Sequence, residues 1–335
     1  MPETAGASGI RSPSGVLMLP PPSRGKLVAG FAAVYLLWGS TYLAIRFAVE
    51  SFPPFVMAGT RHLTAGLLLF AWLRASGGPL PERRHWKSAA IVGGLLLLGG
   101  NGLVSWAELR VPSGLASLFV ASVPLWMALL QGIQRRRRPR AALVAGLLLG
   151  LGGLVLLVMP GRFGGGGHVD PIGAAALLLA ALSWVVGSLA SRRAVLPKST
   201  LLAISMEMIC GGLLLWIFGL ALGEGGRIHA DQISAKAVLS LAYLVVFGSL
   251  IGFSAYIWLL KVSTPARVTT YAYVNPVVAV LLGWAFAGEA LTLRIFLATA
   301  AIVAAVALII RFGGETRSEP AVKPAEGQRL AERAS

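Results

Sequence analysis

Three charged side chains lie inside long apolar stretches of the sequence: Arg61, Glu108 and Glu207. A charge at the centre of a membrane-spanning helix costs about 2.5 to 3.5 kcal/mol on insertion scales, so each of the three needs a partner, water or a function. The planar guanidinium of Arg61 is suited to binding a carboxylate or phosphate of a solute. The sequence favours the other interpretation of Arg61, a structural cation that bonds backbone carbonyls or an acid between helices.

The two acids are suited to proton exchange or gating. Glu207 is flanked by two methionines and an isoleucine. Desolvation of a carboxyl group favours its neutral form, so Glu207 could bind and release a proton, and a purely structural role is equally open. Glu108 stands beside Trp106 and Arg110 near the predicted end of an apolar run, which favours a surface ion pair over a gate.

Aromatic side chains form a second constellation. Trp38 and Tyr42 are four residues apart and share one helical face, and so do Tyr271 and Asn275. A wall of such rings would bind amphipathic or cationic solutes through apolar contact and cation–π attraction. Each ring could also serve ordinary packing or anchoring at the membrane interface. Further candidates for this wall, or for polar contacts in it, are Asn101, Trp126, Trp184, Ser249 and Tyr256.

Composition indicates which elements position these residues. Of the 335 residues, 56% are apolar and only 13% are charged, and the mean hydropathy is +0.77. Apolar stretches long enough to cross roughly 30 Å of hydrocarbon recur along nearly the whole chain. The sequence therefore predicts an all-α polytopic membrane protein with ten transmembrane helices. The predicted spans are 27–49, 53–73, 88–109, 112–133, 141–158, 171–191, 199–222, 235–260, 265–287 and 291–310.

The distribution of basic residues predicts the orientation. Most of the 29 Lys and Arg residues fall in loops on one side of this topology, where the positive-inside rule places the cytoplasm. We therefore expect a multi-pass protein of the cell (inner) membrane with both termini cytoplasmic. The arginine run at 135–138 is interpreted as a topological anchor, with contact to anionic membrane lipids as the alternative.

The residue content excludes or disfavours several kinds of site. Cys210 is the only cysteine, so an intrachain disulfide or a cysteine-based metal centre cannot form, and the four histidines lack metal-ligand spacing. We expect no metal and no cofactor. The basic residues are not interleaved with aromatic ones as in an RNA-binding surface, so nucleic acid is not an expected partner. The sequence has no HExxH motif or P-loop, which disfavours an enzyme.

An internal repeat divides the chain. Aligning the sequence with itself pairs Trp38 with Trp184 and Arg46 with Arg192, and it pairs two GLLL segments. Each half would contain five spans, an odd number, so the second half would be inverted relative to the first. Inverted repeats are typical of secondary transporters, whose solute site lies near the membrane midplane. The predicted boundaries are a disordered cytoplasmic tail at 1–26, repeats at 27–160 and 161–311, and a disordered cytoplasmic tail at 312–335.

Glycine and proline interrupt several predicted spans. The glycines between 93 and 102, together with Pro124 and Pro276, predict breaks near the midplane, which are typical of rocking helices and discontinuous binding sites. Gly146 and Gly150 have GxxxG spacing in the fifth span, and the tenth span is rich in alanine, so both suit close helix contact. This contact could lie within the monomer or could form a homodimer through the fifth and tenth spans.

Three segments together resemble a known family: WGSTYLAIRFAVESFPPFVMAGTRHLTAG in the first two spans, NGLVSWAELRVPSGLAS after them and YAYVNPVVAVLLGWAFAGE around the ninth. They are similar to the EamA-domain family of the drug/metabolite transporter superfamily, in particular to its YedA-type inner-membrane exporters. The resemblance covers nearly all of 27–311. It implies two EamA repeats and a central cavity lined mainly by the first, third, fourth, sixth, eighth and ninth spans.

The resemblance also implies a function. We expect a secondary active transporter that exports small metabolites, amino acids or drug-like solutes by alternating access, with proton coupling through Glu207 or Glu108 as a hypothesis. Uptake of solutes and a membrane-embedded, lipid-acting enzyme are the alternatives. The second repeat has the acidic turn GEALT of the family at 288–292, whereas the first repeat has the arginine run in the corresponding place. Any role of this turn in the family can therefore be assigned only to Glu289.

Overall fold

The computed structural model describes residues 23–134, 141–158, 170–263, 265–269 and 271–313. Within these ranges every regular element is helical and no strand occurs. The arginine run at 135–138 lies outside the described residues, as do most of the two predicted tails. The interpretation of that run as an anchor therefore stays a prediction.

The chain forms long helices, which we label α1 to α10. Seven of them, α1 to α4 and α6 to α8, are long and apolar enough to cross a membrane. Shorter apolar helical stretches, Val274–Ala287 and Leu293–Ala305, lie in α9 and α10. The protein is therefore a polytopic, all-helical membrane protein. The helices are α1 Arg24–Ala48, α2 Pro54–Ala75, α3 Arg83–Ala107, α4 Ser113–Gln134, α5 Ala141–Val158, α6 Pro171–Ser191, α7 Thr200–Ala221, α8 Ala235–Val262, α9 Tyr271–Ala287 and α10 Leu293–Gly313.

Side-chain caps fix several helix starts. The Asp170 carboxylate accepts hydrogen bonds from the N–H groups of Ile172 and Gly173 at the start of α6, where proline occupies the first helical position. The hydroxyl of Ser23 likewise accepts from Lys26 N at 3.4 Å. Because of this cap, α1 begins at Arg24, inside the segment 1–26 that the sequence predicts to be a disordered tail.

Several helices depart from regular α geometry near their middles. Wide π-helical turns occupy Ala33–Leu37 in α1, Gly94–Gly102 in α3 and Leu244–Phe253 in α8. Helix α4 is interrupted between Val120 and Val123, directly before Pro124. Such turns concentrate at functional sites because they re-aim the side chains around them. The irregularities predicted from glycine and proline in α3 and α4 are present, whereas the break predicted at Pro276 is not, because α9 continues through that residue.

Close packing of α7 against α2 and α3 depends on glycine. A Cβ added at Gly212 of α7 would lie 2.6 Å from the backbone nitrogen of Leu63 in α2, a separation that real Cβ atoms do not show. A Cβ added at Gly93 of α3 would collide with the carbonyl oxygen of Glu207 in α7. The backbones of these helices can approach only because glycine has no side chain.

We expect Gly93→Ala to destabilise the protein by about 1 to 3 kcal/mol, because the added methyl group must displace backbone atoms of α7. Thermal unfolding of the purified protein in detergent would measure the loss. The matched control is Gly132→Ala in α4, where an added Cβ meets no atom within 4 Å. Equal unfolding temperatures for the two variants would contradict the packing argument.

Helices α5 and α10 pack against each other within the chain. A Cβ added at Gly150 would lie 3.2 Å from the Cβ of Ala305, and one added at Gly153 would lie 2.9 Å from Cγ1 of Ile302. The small-residue surface of α5 is therefore used inside the monomer. A homodimer through the fifth and tenth spans stays a prediction, and it would have to use other faces of these two helices.

Candidate binding cavity

A central cavity lies between the helices, with an empty volume of about 550 Å³ when the space at its open side is counted. Helices α1, α2, α3, α4, α6 and α9 supply its walls. The second helix contributes Arg61, whereas α8 contributes no lining residue, which corrects the set of spans implied by the family resemblance. The lining residues are Trp38, Thr41, Tyr42, Ile45, Arg61, Gly100, Asn101, Val104, Val120, Ala180, Ala181, Trp184, Tyr271 and Asn275.

Most of the predicted cavity residues meet here, although they come from distant parts of the sequence. Tyr256, Trp126 and Ser249 do not line the cavity. Tyr256 is fully buried behind Trp184, where its hydroxyl accepts a hydrogen bond from the indole N–H of Trp184 at 3.0 Å. The indole N–H of Trp126 has no hydrogen-bond partner among the described residues, and its ring packs against the hydrophobic core.

An aromatic cluster forms one wall of the cavity and the layer behind it. The cluster comprises Trp38, Trp184, Tyr256 and Tyr271. The Trp38 ring is central, with centroid distances of 5.4 Å to Trp184, 4.9 Å to Tyr256 and 5.4 Å to Tyr271. Its indole N–H donates to the carbonyl oxygen of Gly248 at 3.1 Å. Edge-to-face rings of this kind present both apolar faces and polar edges to a solute.

Arg61 is held at the cavity wall by side chains of two other helices. Its Nε donates to Ser249 Oγ of α8 at 2.8 Å, and its Nη1 donates to Asn101 Oδ1 of α3 at 3.2 Å. Within the described residues, both of these hydrogen-bond partners are neutral side chains, neither the acid nor the backbone carbonyl that the structural interpretation named. A neutral hydrogen-bonded setting orients the guanidinium and leaves its charge uncompensated by a direct ion pair.

Sequence reasoning missed His62, the residue next to Arg61. Its Nδ1 lies 3.3 Å from Ser249 Oγ, and its Nε2 has no hydrogen-bond partner within the described ranges. His62 is completely buried. The signal was present in the sequence, because a second polar side chain beside an arginine in an apolar span also needs a partner.

The structure contradicts the predicted surface ion pair at Glu108. Glu108 is completely buried, and neither carboxylate oxygen has a hydrogen-bond partner among the residues that the structure describes. Arg46 donates to its backbone oxygen at 2.6 Å. Arg110 instead pairs with Asp170 at 3.0 Å. The reason is that α3 ends at Ala107, so the chain turns and places the two side chains in different surroundings.

Asp170 and Arg110 connect the end of α3 to the start of α6 outside the apolar spans. The hydrogen bond from Arg110, supported by the N–H groups of Ile172 and Gly173, lowers the pKa of the Asp170 carboxyl. The guanidinium of Arg110 also lies 4.8 Å from the ring centroid of Trp106. The neighbours that the sequence assigned to Glu108 are thus engaged with each other and with α6.

Glu207 lies in α7 and does not line the cavity. Its Oε1 accepts a long hydrogen bond of 3.4 Å from Ser191 Oγ, and its Oε2 has no partner in the described part of the chain. The positive charge of Lys261 in α8 interacts electrostatically with the Glu207 carboxyl. The Lys261 Nζ donates a hydrogen bond to Thr200 Oγ1 at 3.2 Å. Glu207 is thus a buried carboxyl with one weak partner.

Two further acids bind the starts of α2 and α4, each of which has a proline as its N-cap residue. The Glu289 carboxylate accepts from the N–H and hydroxyl of Ser113 at 2.7 Å each and from the N–H of Gly114 at 2.9 Å, at the start of α4. The Glu224 carboxylate accepts from Phe55 N at 3.3 Å and Val56 N at 2.9 Å, at the start of α2. Carboxylates stabilise a helix N-terminus by hydrogen bonding and by the helix dipole. Glu224 was missed because its partners are distant in sequence.

We expect Glu289→Gln to lower the free energy of unfolding by about 1 to 2 kcal/mol, because an amide keeps one acceptor and loses the charge at the start of α4. Thermal unfolding in detergent would measure the change. Asp231→Asn is the matched control, since Asp231 is exposed in a short 3₁₀ helix. A Glu289 variant that unfolds at the same temperature as this control would show that the cap contributes little.

A polytopic helical protein with a polar and aromatic cavity between its helices is the architecture expected of a membrane transporter. Comparison with known families agrees: the model of the EamA-like transporter family matches residues 26–159 and 171–311. The chain belongs to this family and is a transporter, not an enzyme. The resemblance seen in the sequence motifs is confirmed.

Individual relatives support the same assignment. The chain is 42% identical over 287 residues to the uncharacterized inner membrane transporter YedA of Escherichia coli (strain K12), covering 84% of this chain and 90% of that protein. It is 23% identical to the uncharacterized transporter YoaV of Bacillus subtilis (strain 168), covering 81% and 92%. One solved crystal structure matches with a TM-score of 0.62 and 25% identity, covering 86% of this chain and 96% of that one.

Proposed function

We propose that the protein is a secondary active transporter that exports small metabolites, amino acids or drug-like solutes across the cell (inner) membrane by alternating access. The observation that carries this proposal is the central cavity, in which the Arg61 guanidinium faces the same space as the rings of Trp38, Tyr42, Trp184 and Tyr271. A solute with an apolar or aromatic body and an anionic group would match both features.

The proposed architecture is ten spans arranged as two inverted repeats, 27–160 and 161–311, with both termini cytoplasmic. Support comes from the family model, which matches the chain twice with a gap between the matches. Trp38 and Trp184, which occupy equivalent positions in the proposed repeats, also lie in direct ring contact at the cavity. Inverted repeats place the solute site between the two halves, where relative rocking exposes it to one side at a time.

The proposed energy source is the proton gradient, coupled through Glu207, with Glu108 as the second candidate. Both carboxyls are completely buried, and a carboxyl in this setting is more stable in its neutral form. A conformational change that brought water or a cation to the carboxyl would release the proton. Each acid lies outside the cavity lining, so the proton and the solute would not compete for one atom.

Growth protection would test the direction and the solute class together. An overexpressing strain would be grown against a panel of toxic amino-acid analogues and amphipathic drugs, and export predicts resistance to a subset of them. Trp38→Ala should abolish the resistance, whereas Trp126→Phe, outside the cavity, should retain it. Sensitisation to the same compounds would contradict export and would indicate uptake.

A further inference from the structure

A second cavity opens on the membrane-facing side of the molecule, between α1, α8 and α9. It is a groove with an empty volume of about 930 Å³, counted with the space at its open side. Helix α1 separates this groove from the central cavity, because the opposite face of the same helix carries Trp38 and Tyr42. The residues that line the groove are Ser40, Leu43, Ala44, Phe47, Lys236, Leu239, Ser240, Tyr243 and Leu282.

Antiparallel packing of α1 and α8 defines the two ends of the groove. At the inner end, Ser40 Oγ and the Tyr243 hydroxyl share a hydrogen bond of 2.6 Å. At the mouth, the Lys236 ammonium lies 4.4 Å from the ring centroid of Phe47. Seven residues of helix separate Lys236 from Tyr243, so the groove runs about 10 Å inward from the helix ends.

The walls between these ends are mostly apolar and open to the lipid phase. Leu239 is 71% exposed, although it lies within a helix long and apolar enough to span a membrane. The Ser40 and Tyr243 hydroxyls bond each other, which leaves the inner end without a demand for a polar ligand. This lining favours a bound hydrocarbon chain, because contact between the apolar walls and water is unfavourable.

The mouth of the groove carries both signs of charge. Lys236 and Glu50 form an ion pair there, with side-chain exposures of 49% and 44%. Both residues stand at the helix ends, where the phosphates and amines of lipid headgroups lie. Because each side chain stays partly exposed in the pair, a headgroup that contains a phosphate and a primary ammonium can bond both as well: the phosphate accepts from Lys236 and the ammonium donates to Glu50. An anionic headgroup without an ammonium would meet Lys236 but would be repelled by Glu50.

We propose that this groove binds a phospholipid of the phosphatidylethanolamine type, with one acyl chain against Leu239 and Leu282 and its headgroup at Lys236 and Glu50. In the orientation proposed above, the lipid belongs to the outer leaflet. The bound chain fills the gap between α1, α8 and α9, and thereby supports the face of α1 opposite the solute cavity. Lipid binding in this groove does not depend on which solute the central cavity carries.

Native mass spectrometry of the purified full-length chain tests the headgroup. The protein would be reconstituted in an equal mixture of phosphatidylethanolamine and phosphatidylglycerol, extracted in mild detergent, and the retained lipids counted. The wild type should retain at least one phosphatidylethanolamine in preference to phosphatidylglycerol. Glu50→Gln should reduce this preference about fivefold, because the repulsion of the anionic headgroup is removed. The double variant Lys236→Glu with Glu50→Lys, which exchanges the two charges, should show the wild-type preference for phosphatidylethanolamine. The zwitterionic headgroup can bind it in the reversed orientation, with its phosphate at residue 50 and its ammonium at residue 236.

Two matched pairs make the result specific to the groove. Ser240→Leu should abolish retention by filling the apolar part, whereas Ser240→Ala should leave it intact. Lys236→Gln should reduce retention of both lipids, whereas Arg227→Gln, at an exposed position outside the groove, should change neither. Equal retention of the two lipids by the wild type, or unchanged retention in Ser240→Leu, would overturn the proposal. A lipid-free dimer as the main species would also overturn it, because a second copy would then cover the groove.

Discussion

Replacing Arg61 with glutamine should reduce solute transport at least about tenfold while the protein still inserts and folds. The variant removes the positive charge from the cavity wall, and a lost charge-assisted hydrogen bond to a solute corresponds to about 1.5 to 3 kcal/mol. Glutamine can still bond Ser249 or Asn101, so the packing of α2 against α3 and α8 should survive. Flux of a solute identified by growth protection, measured in proteoliposomes, would quantify the loss.

Arg61→Lys sharpens this prediction. A lysine ammonium carries the charge but lacks the planar fork that bonds Ser249 and Asn101 together, so we expect it to restore only part of the flux. Arg227→Gln is the control for a lost surface charge. If Arg61→Gln transported at the wild-type rate, the arginine would be structural and the solute would be recognised by the aromatic rings alone. A rise in activity with neutral solutes only would identify Arg61 as a specificity determinant.

Replacing Glu207 with glutamine should abolish the dependence of transport on a proton gradient. The amide has nearly the same shape as the neutral carboxyl and can keep the contact with Ser191, so folding should be preserved. It cannot release a proton, and coupling through this site would end while exchange of solute down its own gradient continued. Flux into proteoliposomes with and without an imposed pH difference, at equal protein content, would separate the two processes.

Glu108→Gln serves as the matched variant, because it removes a second completely buried carboxyl, at the end of α3. Coupled flux that persists in Glu207→Gln and disappears in Glu108→Gln would assign the proton site to Glu108 and contradict the primary prediction. Coupled flux in both variants would exclude both acids as the coupling site.

Local patterns in the sequence predicted much of the fold. Apolar run length located most of the helices within a few residues, because the membrane imposes one length and one polarity on each of them. The ninth predicted span, 265–287, is an exception, since it comprises a short helix, Pro265–Val268, and α9, which begins at Tyr271. Proline and glycine located the irregular places in α3 and α4, since both residues act on the backbone around them. Helical spacing also grouped Trp38 with Tyr42 and Tyr271 with Asn275, and all four line one cavity.

Long-range geometry was less accessible. Glu108 and Arg110 are two residues apart and were expected to pair, but the turn after α3 buries one and exposes the other. Trp126 and Trp184 looked equivalent as aromatic residues within spans, and only the packing of α4 and α6 distinguishes them. Contacts such as Glu224 with the start of α2 depend on how distant helices approach, and no short-range pattern encodes that approach.

Glu224 and Glu289 both belong to the second half of the sequence, and both bind helix starts in the first half. Their five hydrogen bonds join the ends of α7 and α9 to the starts of α2 and α4, which lie at the same end of the helix bundle. The two halves of the sequence are therefore joined at that end of the helix bundle. If one half tilts against the other while these bonds stay intact, the displacement is smallest at this end and grows with distance along the helices.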